Sequence, residues 1–305
     1  MTKYEVIIIG GGAAGLTAGL YASRGRFKSL LVERGMTGGQ IMNAALVENY
    51  PGFPEGISGS ELGSLMRQQA DRYGLEVVTA DVTGLALGGR YDVSTTEGDF
   101  ETSAVIIATG SEYRKLGVTG EERLSGHGVS YCATCDGFFF RDREVAVVGG
   151  GDTAITDALE LTRYAKKVYV IHRRDQLRAG KVLQQRAFAQ PRLEFIWSAV
   201  VEGVLGEKMV SGLKLHNVKT GRDSILKVDG VFIAVGLTPN SRIFSDILEL
   251  DDAGYIITDE TMATSVDGIF AAGDVRKNSV RQVAAAVGDG VTAAMSAFES
   301  LQGTS

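Results

Sequence analysis

Two cysteines, three histidines, four prolines and one tryptophan are all that 305 residues hold of those types. So few cysteines exclude a disulfide-stapled scaffold, which needs several bridges. His127, His172 and His216 show no H-x3-5-H spacing, and one cysteine pair supplies only half of a structural zinc site, so no metal is expected. Long apolar runs are also missing. Val6 to Ile9 and Val145 to Val148 are strand-length and end in glycine, far short of the roughly 20 residues that cross a bilayer, so no membrane partner is expected. Met1-Thr2-Lys3-Tyr4-Glu5 leads straight into a buried-strand pattern, which leaves no room for a cleavable signal and makes a cytoplasmic location the expectation. A formal net charge of −6 lacks the basic field on which nucleic-acid binding depends.

Glycine, by contrast, is abundant. Forty residues are about twice the usual share of roughly 7%, and in a chain without low-complexity tracts they imply tight turns and close backbone approaches to ligands. The apolar fraction of 44% and charged fraction of 22% are those of a globular protein, long enough for two domains with their own cores.

Both cysteines fall in Val129-Ser130-Tyr131-Cys132-Ala133-Thr134-Cys135-Asp136-Gly137-Phe138-Phe139-Phe140. A two-residue spacing lets thiols cycle between dithiol and disulfide, whereas a bridge that stabilises by constraining the unfolded chain closes a longer loop. The favoured reading is a redox-active pair. Asp136 follows as a nearby acid whose pKa poor solvation would raise, and the three phenylalanines read equally as core or as part of the site.

Two glycine-rich turns supply places for electron donors. Val6 to Ile9 enter Gly10-Gly11-Gly12-Ala13-Ala14-Gly15 and a small-residue helix. A second strand, Ser29 to Val32, ends in Glu33, about 20 residues on. Strand, glycines, helix, strand and terminal acid together describe a dinucleotide site, with pyrophosphate at the helix N-terminus and Glu33 on a ribose hydroxyl rather than as a solvated strand end. Val145 to Ala154, containing Gly149, Gly150, Gly151, Asp152 and Thr153, aligns without gaps on Val6 to Gly15, so the half-fold occurs twice. Where the first copy has Glu33, the second has His172-Arg173-Arg174-Asp175 and then Arg178. Arginines grip a 2′-phosphate that a carboxylate would repel, so the second site is expected to prefer NADPH over a solvated basic loop's lack of preference, with His172 as a phosphate or adenine contact. Asp152 is ambiguous, because as an N-cap it would compete with the pyrophosphate.

Gly38-Gly39-Gln40 and the segment from Val47 to Pro54 read as a long ligand-bordering loop before a helix over about 59–73. Segments 76–80, 85–87, 91–95 and 100–102 suggest a small meander, and Val105-Ile106-Ile107-Ala108-Thr109-Gly110 a buried strand whose tip meets the first dinucleotide. Strands are expected over 193–204, 212–215, 224–228 and 254–258. Gly268-Ile269-Phe270-Ala271-Ala272-Gly273-Asp274 would aim Asp274 at ligand hydroxyls, and a helix opening at Arg281-Gln282-Val283-Ala284 would end near Leu301, with 302–305 as a frayed tail. The fold class is α/β, with two Rossmann-like, three-layer dinucleotide-binding domains.

These marks together, GGGAAG at 10–15, CATCDGFF at 132–139, GGGDTA at 149–154, HRRDQLRA at 172–179 and GIFAAGDV at 268–275 before Arg281-Gln282, resemble the low-molecular-weight thioredoxin reductases, members of the flavin-dependent pyridine nucleotide-disulfide oxidoreductases. The likeness spans essentially the whole chain. It implies a discontinuous FAD domain over 1–112 and 244–305, an inserted NADPH domain over 113–243 that carries the cysteines, a homodimer, rotation of one domain against the other, and thioredoxin or a thioredoxin-like protein as substrate. It assigns Cys135 to the flavin side and Cys132 to the attack on the protein substrate. Gly10, Gly12, Ala13, Ala14, Gly15, Glu33, Gly39, Gln40, Asn49, Thr109, Gly110, Gly273, Asp274 and Arg281 to Ala284 would bind FAD, and Gly149, Gly151, Asp152, Thr153, His172, Arg173, Arg174 and Arg178 would bind NADPH. Two alternatives remain open at this level: the same chemistry with a glutaredoxin-like or peroxiredoxin acceptor, or a flavin- and nucleotide-binding sensor without disulfide turnover.

Overall fold

The structure is a computed structural model and describes residues 2–44 and 46–303. Its first segment runs β1 (Thr2–Ile9), α1 (Ala13–Arg24), β2 (Ser29–Glu33), α2 (Gly59–Asp71), β3 (Glu76–Thr79), β4 (Val82–Leu87), β5 (Tyr91–Thr95) and β6 (Gly98–Ile107). Val6, Ile7 and Ile8 of β1 are wholly inaccessible, as befits a run covered on both faces of a parallel sheet. β1 pairs in parallel with β2 on one side and β6 on the other. α2 is N-capped by Ser58, whose hydroxyl accepts the Glu61 N–H, and ends at Asp71 rather than 73.

Two expectations change here. β3 is not part of the meander, because it pairs in parallel with β2 at the edge of the main sheet. The stretches 100–102 and 105–107 are halves of one ten-residue strand, β6. Its first half pairs antiparallel with β5, and its second half stays fully buried in the parallel part of the sheet.

The chain then crosses out through β7 (Ser111–Tyr113) into β8 (Val129–Ser130), α3 (Ala133–Asp136), β9 (Glu144–Val148), α4 (Asp152–Leu161), β10 (Lys167–His172), α5 (Lys181–Phe188), β11 (Leu193–Trp197), β12 (Ala199–Leu205), β13 (Gly212–Asn217), β14 (Asp223–Leu226) and β15 (Gly230–Ile233), and crosses back through β16 (Leu237–Pro239). A parallel sheet of order β11-β10-β9-β15-β8 and an antiparallel sheet of order β12-β13-β14 form this unit. The expected strand over 193–204 is therefore two strands in different sheets. Ser198, at φ +54°, turns the chain between them. The two crossing segments, β7 and β16, pair with each other.

After the return come β17 (Ile269–Ala271), parallel to the buried half of β6, and α6 (Val283–Gly303). Residues 254–258 form no strand, only isolated bridges from Ile256 to Leu250 and to Arg276. α6 runs through Gln302 and Gly303, which were expected to fray, and Thr304 and Ser305 lie outside the described residues. α6 lies close against α1 because both faces are small. Ala18, Ala22, Ala293, Ala294 and Ala297 are inaccessible, and a Cβ on Gly290 would stand 2.3 Å from the Ala14 carbonyl oxygen.

Two compact units result, Met1–Glu112 with Thr238–Ser305, and Tyr113–Leu237. Among the described residues no helix is long and apolar enough to cross a membrane.

Candidate active site

In the inserted unit, Val129 and Ser130 pair with Val231 and Phe232 at the edge of the parallel sheet and deliver the chain to the cysteines. Cys132 and Cys135 form a disulfide with Cα atoms 5.3 Å apart. Cys132 is the N-cap of α3, and its Sγ accepts the Cys135 N–H at 3.2 Å, a contact that would favour negative charge on this sulfur once the bridge opens. Cys132 is half-buried and Cys135 exposed.

Asp136 closes the same turn. Burial pushes its carboxyl above the usual range, and the Ser130 hydroxyl opposes this by donating to Oδ2 at 2.6 Å. The same Ser130 oxygen accepts the Cys132 N–H at 3.1 Å. Phe138 and Phe139 are 49% and 48% exposed and so are not core, whereas Phe140 packs edge-on against Phe232 with ring centroids 5.2 Å apart. Behind the motif, Glu121 is buried. Its carboxylate accepts the N–H groups of Leu116 and Gly117 at 3.0 and 2.8 Å and the Tyr131 hydroxyl at 2.8 Å, which anchors the residue just before Cys132.

The glycine turn of this unit opens α4. Gly151, not Asp152, is the N-cap, and it carries no side-chain cap. Asp152 instead accepts the Gly180 N–H at 2.7 Å, so its carboxylate is engaged by the start of α5. His172 is buried beneath the turn, where a Cβ on Gly150 would meet its Nδ1 at 2.4 Å. Burial and the neighbouring guanidiniums of Arg178, Arg174 and Arg173 lower its pKa, and Nε2 has no hydrogen-bond partner among the described residues. Arg178 is tied to the turn by its N–H on the Gly150 carbonyl at 2.7 Å. Arg173, Arg174 and Arg178 line one cavity of about 520 Å³.

In the first unit, Gly12 is the uncapped N-terminus of α1, with only the Gly39 Cα, at 3.9 Å, near the place of a Cβ. Gly15 is the opposite case, because a Cβ there would lie 1.8 Å from the Gly10 oxygen. The Glu33 carboxylate is not a solvated strand end: it accepts the Gly11 N–H at 2.6 Å and the Gly35 N–H at 3.0 Å. Gln40 donates to the Ser111 carbonyl, and Asn49 donates to Gln282 at 3.1 Å. Thr109 and Asn240 exchange side-chain-to-carbonyl hydrogen bonds at 2.8 and 2.9 Å. Gly273, at φ +76°, gives its N–H to Asp289, and Asp274, raised by burial, accepts the Ser279 hydroxyl at 3.0 Å. Arg281 reaches the Tyr255 hydroxyl at 3.3 Å while its buried Nε stays unpartnered among the described residues.

A family model described as pyridine nucleotide-disulphide oxidoreductase matches residues 4–290. The chain belongs to that family, in its thioredoxin reductase branch. It is similar to the thioredoxin reductase of Listeria monocytogenes, 51% identical over 296 residues, covering 96% of this chain and 92% of the relative. That of Bacillus subtilis is 47% identical, with 96% of this chain and 93% of the relative covered. Among solved structures, thioredoxin reductase from Streptococcus pyogenes superposes with a TM-score of 0.95 at 46% identity over 99% of both chains.

Family membership implies a flavin and a pyridine nucleotide, and each unit has features that fit such a ligand. α1 and α4 both begin at glycines without side-chain caps, and the buried Arg281 Nε and His172 Nε2 have no hydrogen-bond partner among the described residues. Several residues that shape these sites escaped the motif reading. Ser130, Glu121, Ser279 and the Arg276–Asp289 pair, joined by hydrogen bonds of 2.6 and 2.8 Å, act through partners distant in sequence or lie in ordinary-looking polar stretches. Ser130 alone carried a local signal, its place two residues before the first cysteine. Away from both sites, Glu202, His216 and Asp223 meet on β12–β14, where the Lys214 ammonium stands 2.9 Å from Glu202 and 3.8 Å from Asp223 and offsets one of the two carboxylate charges.

Proposed function

We propose that this chain is an NADPH-dependent flavoprotein that reduces the disulfide of thioredoxin or a thioredoxin-like protein. The observation that carries the reading is the Cys132–Cys135 disulfide set beside a half-buried acid. In this reading the unit formed by both ends of the sequence binds FAD through the Gly10–Gly15 turn, Glu33, Gly39, Gln40, Asn49, Thr109, Gly110, Gly273, Asp274 and Arg281 to Ala284. The inserted unit binds NADPH through Gly149, Gly151, Asp152, Thr153, His172, Arg173, Arg174 and Arg178. A flavin held there would supply two-electron transfer between a nicotinamide and the disulfide.

The protein's own residues do the rest. Uncapped N–H groups at Gly12 and Gly151 receive the pyrophosphates, and the arginines hold the 2′-phosphate. In the dithiol form, the Cys132 thiolate, stabilised by the Cys135 N–H, attacks one sulfur of the partner's disulfide and forms a mixed disulfide. The Asp136 carboxyl gives its proton to the partner's departing thiolate. Cys135 then attacks Cys132 and yields its thiol proton to the partner's second departing sulfur, which restores the bridge and releases the partner as a dithiol. Two electrons and two protons reach the partner. The chain works as a homodimer in this reading, and sedimentation would report its mass.

The test is reduction of purified thioredoxin by NADPH, followed as nucleotide oxidation. Turnover is expected in the parent and none with Cys132→Ser. A parent that carries flavin and oxidises NADPH yet leaves thioredoxin oxidised would overturn the substrate assignment.

A further inference from the structure

The arginine cavity contains a charge problem that its motif residues do not solve. Among the described residues that line it, Asp175 is the one carboxylate, directly following Arg173 and Arg174. A carboxylate there offsets one guanidinium and repels an incoming phosphate. Lys219, from the turn between β13 and β14, answers it: Nζ stands 2.6 Å from Asp175 Oδ2. That contact is the first cause of the lowering of the Asp175 pKa.

The placement of Lys219 is built from the backbone rather than left to a mobile side chain. The Ser198 N–H donates to the Arg174 carbonyl at 3.1 Å, and the Val218 N–H donates to the Ser198 carbonyl at 2.7 Å. Ser198 itself holds φ +54° to make both bonds possible. On the other side of Lys219, the Asn217 side chain accepts the N–H groups of Lys219 and Thr220, each at 3.0 Å. Three segments far apart in sequence are thus laced together, and the lacing delivers an ammonium to the mouth of the cavity. Such construction is more than a long surface side chain needs to find a counter-ion.

We propose that Lys219 is a specificity-determining residue for the phosphorylated nucleotide, acting by neutralising Asp175 so that a 2′-phosphate meets the guanidiniums without an opposing carboxylate. This rests on the reading of the inserted unit as the NADPH site. Lys219 acts through Asp175 and is a positioning residue rather than a catalytic one. An exposed pair of this kind contributes little to folding, so its removal leaves the fold intact.

The experiment is calorimetric titration of the whole chain with adenosine 2′,5′-bisphosphate and with ADP, which carries no 2′-phosphate. Lys219→Ala is expected to bind the 2′-phosphorylated ligand roughly fivefold more weakly and ADP unchanged. Lys219→Ala combined with Asp175→Asn is expected to recover parental binding, a rescue that a merely structural role would not give. Equal binding of the bisphosphate by the parent and Lys219→Ala overturns the proposal, and so does a loss that persists in the double variant. If the parent itself does not distinguish the two ligands, the nucleotide reading of the cavity fails and the proposal falls with it, an outcome separate from the first two.

Discussion

The Ser130 hydroxyl donates to Asp136 Oδ2 at 2.6 Å and so restrains the rise that burial imposes on that carboxyl. Ser130→Ala removes the restraint, and Asp136 then keeps its proton to higher pH. The alkaline limb of the disulfide-exchange rate is expected to move to higher pH, measured with thioredoxin under saturating NADPH. A serine that only supported the fold would lower the rate without moving the limb.

Asp136→Asn separates catalysis from stability. A carboxyl whose folded pKa exceeds its unfolded one contributes stability that is fully present below the ordinary carboxylate range and is lost as pH rises through the folded value. At pH 7 the buried charge is therefore a cost, and asparagine removes it. Turnover should fall by about 10²–10⁴-fold while the melting temperature at pH 7 stays equal or rises. Calorimetry from below the ordinary carboxylate range up to pH 7 checks the sign, because the parent should lose more stability across that interval than the variant.

Arg276 and Asp289 form a bidentate pair, 2.6 and 2.8 Å, at 16% and 10% side-chain exposure, and Asp289 also accepts the Gly273 N–H. Removing one partner of such a pair leaves a buried charge unopposed. Asp289→Ala should destabilise the first unit by about 3–5 kcal/mol and reduce the flavin content of the purified protein. Chemical unfolding and the visible spectrum would report both.

Gly12 and Gly15 belong to one motif and should respond differently. Alanine at Gly12 makes only an ordinary contact with the Gly39 Cα, so the protein should fold normally and lose flavin affinity, because the new methyl stands where the proposed site receives the pyrophosphate. Alanine at Gly15 collides with the Gly10 oxygen, so that variant should be poorly folded with or without flavin. Circular dichroism and bound-flavin absorbance, read together, distinguish the two.

Arg173→Ala with Arg174→Ala should erase a preference for NADPH over NADH of at least about tenfold in kcat/KM, corresponding to about 1.4 kcal/mol. Equal use of the two nucleotides by the parent would refute the assignment.

Local patterns made much of this legible in advance. The strand-glycine-helix units need only a dozen neighbouring residues, and the redox pair is contiguous. What escaped depends on partners far along the chain. The meander lost β3 because β2 offered a parallel edge, which periodicity within 76–79 does not reveal. The alternation over 193–204 gave no hint that Ser198 would turn the chain into a second sheet. His172 reads as a ligand contact from its place beside the arginines, whereas its burial under Gly150 follows from packing between a strand end and a turn. Lys219 has no motif at all, and its position appears only when three loops are laced together.

β17 joins the sheet that β1 opens and α6 packs against α1, although both follow the inserted unit, which is complete by residue 237. During synthesis the middle of the polypeptide is therefore ready to fold before its beginning is. The nascent β6 must wait on the ribosome with its buried half lacking β17. Vectorial translation thus makes the first unit depend on residues 269–303, and a truncation that removes α6 should spare the inserted unit and leave the first one incomplete.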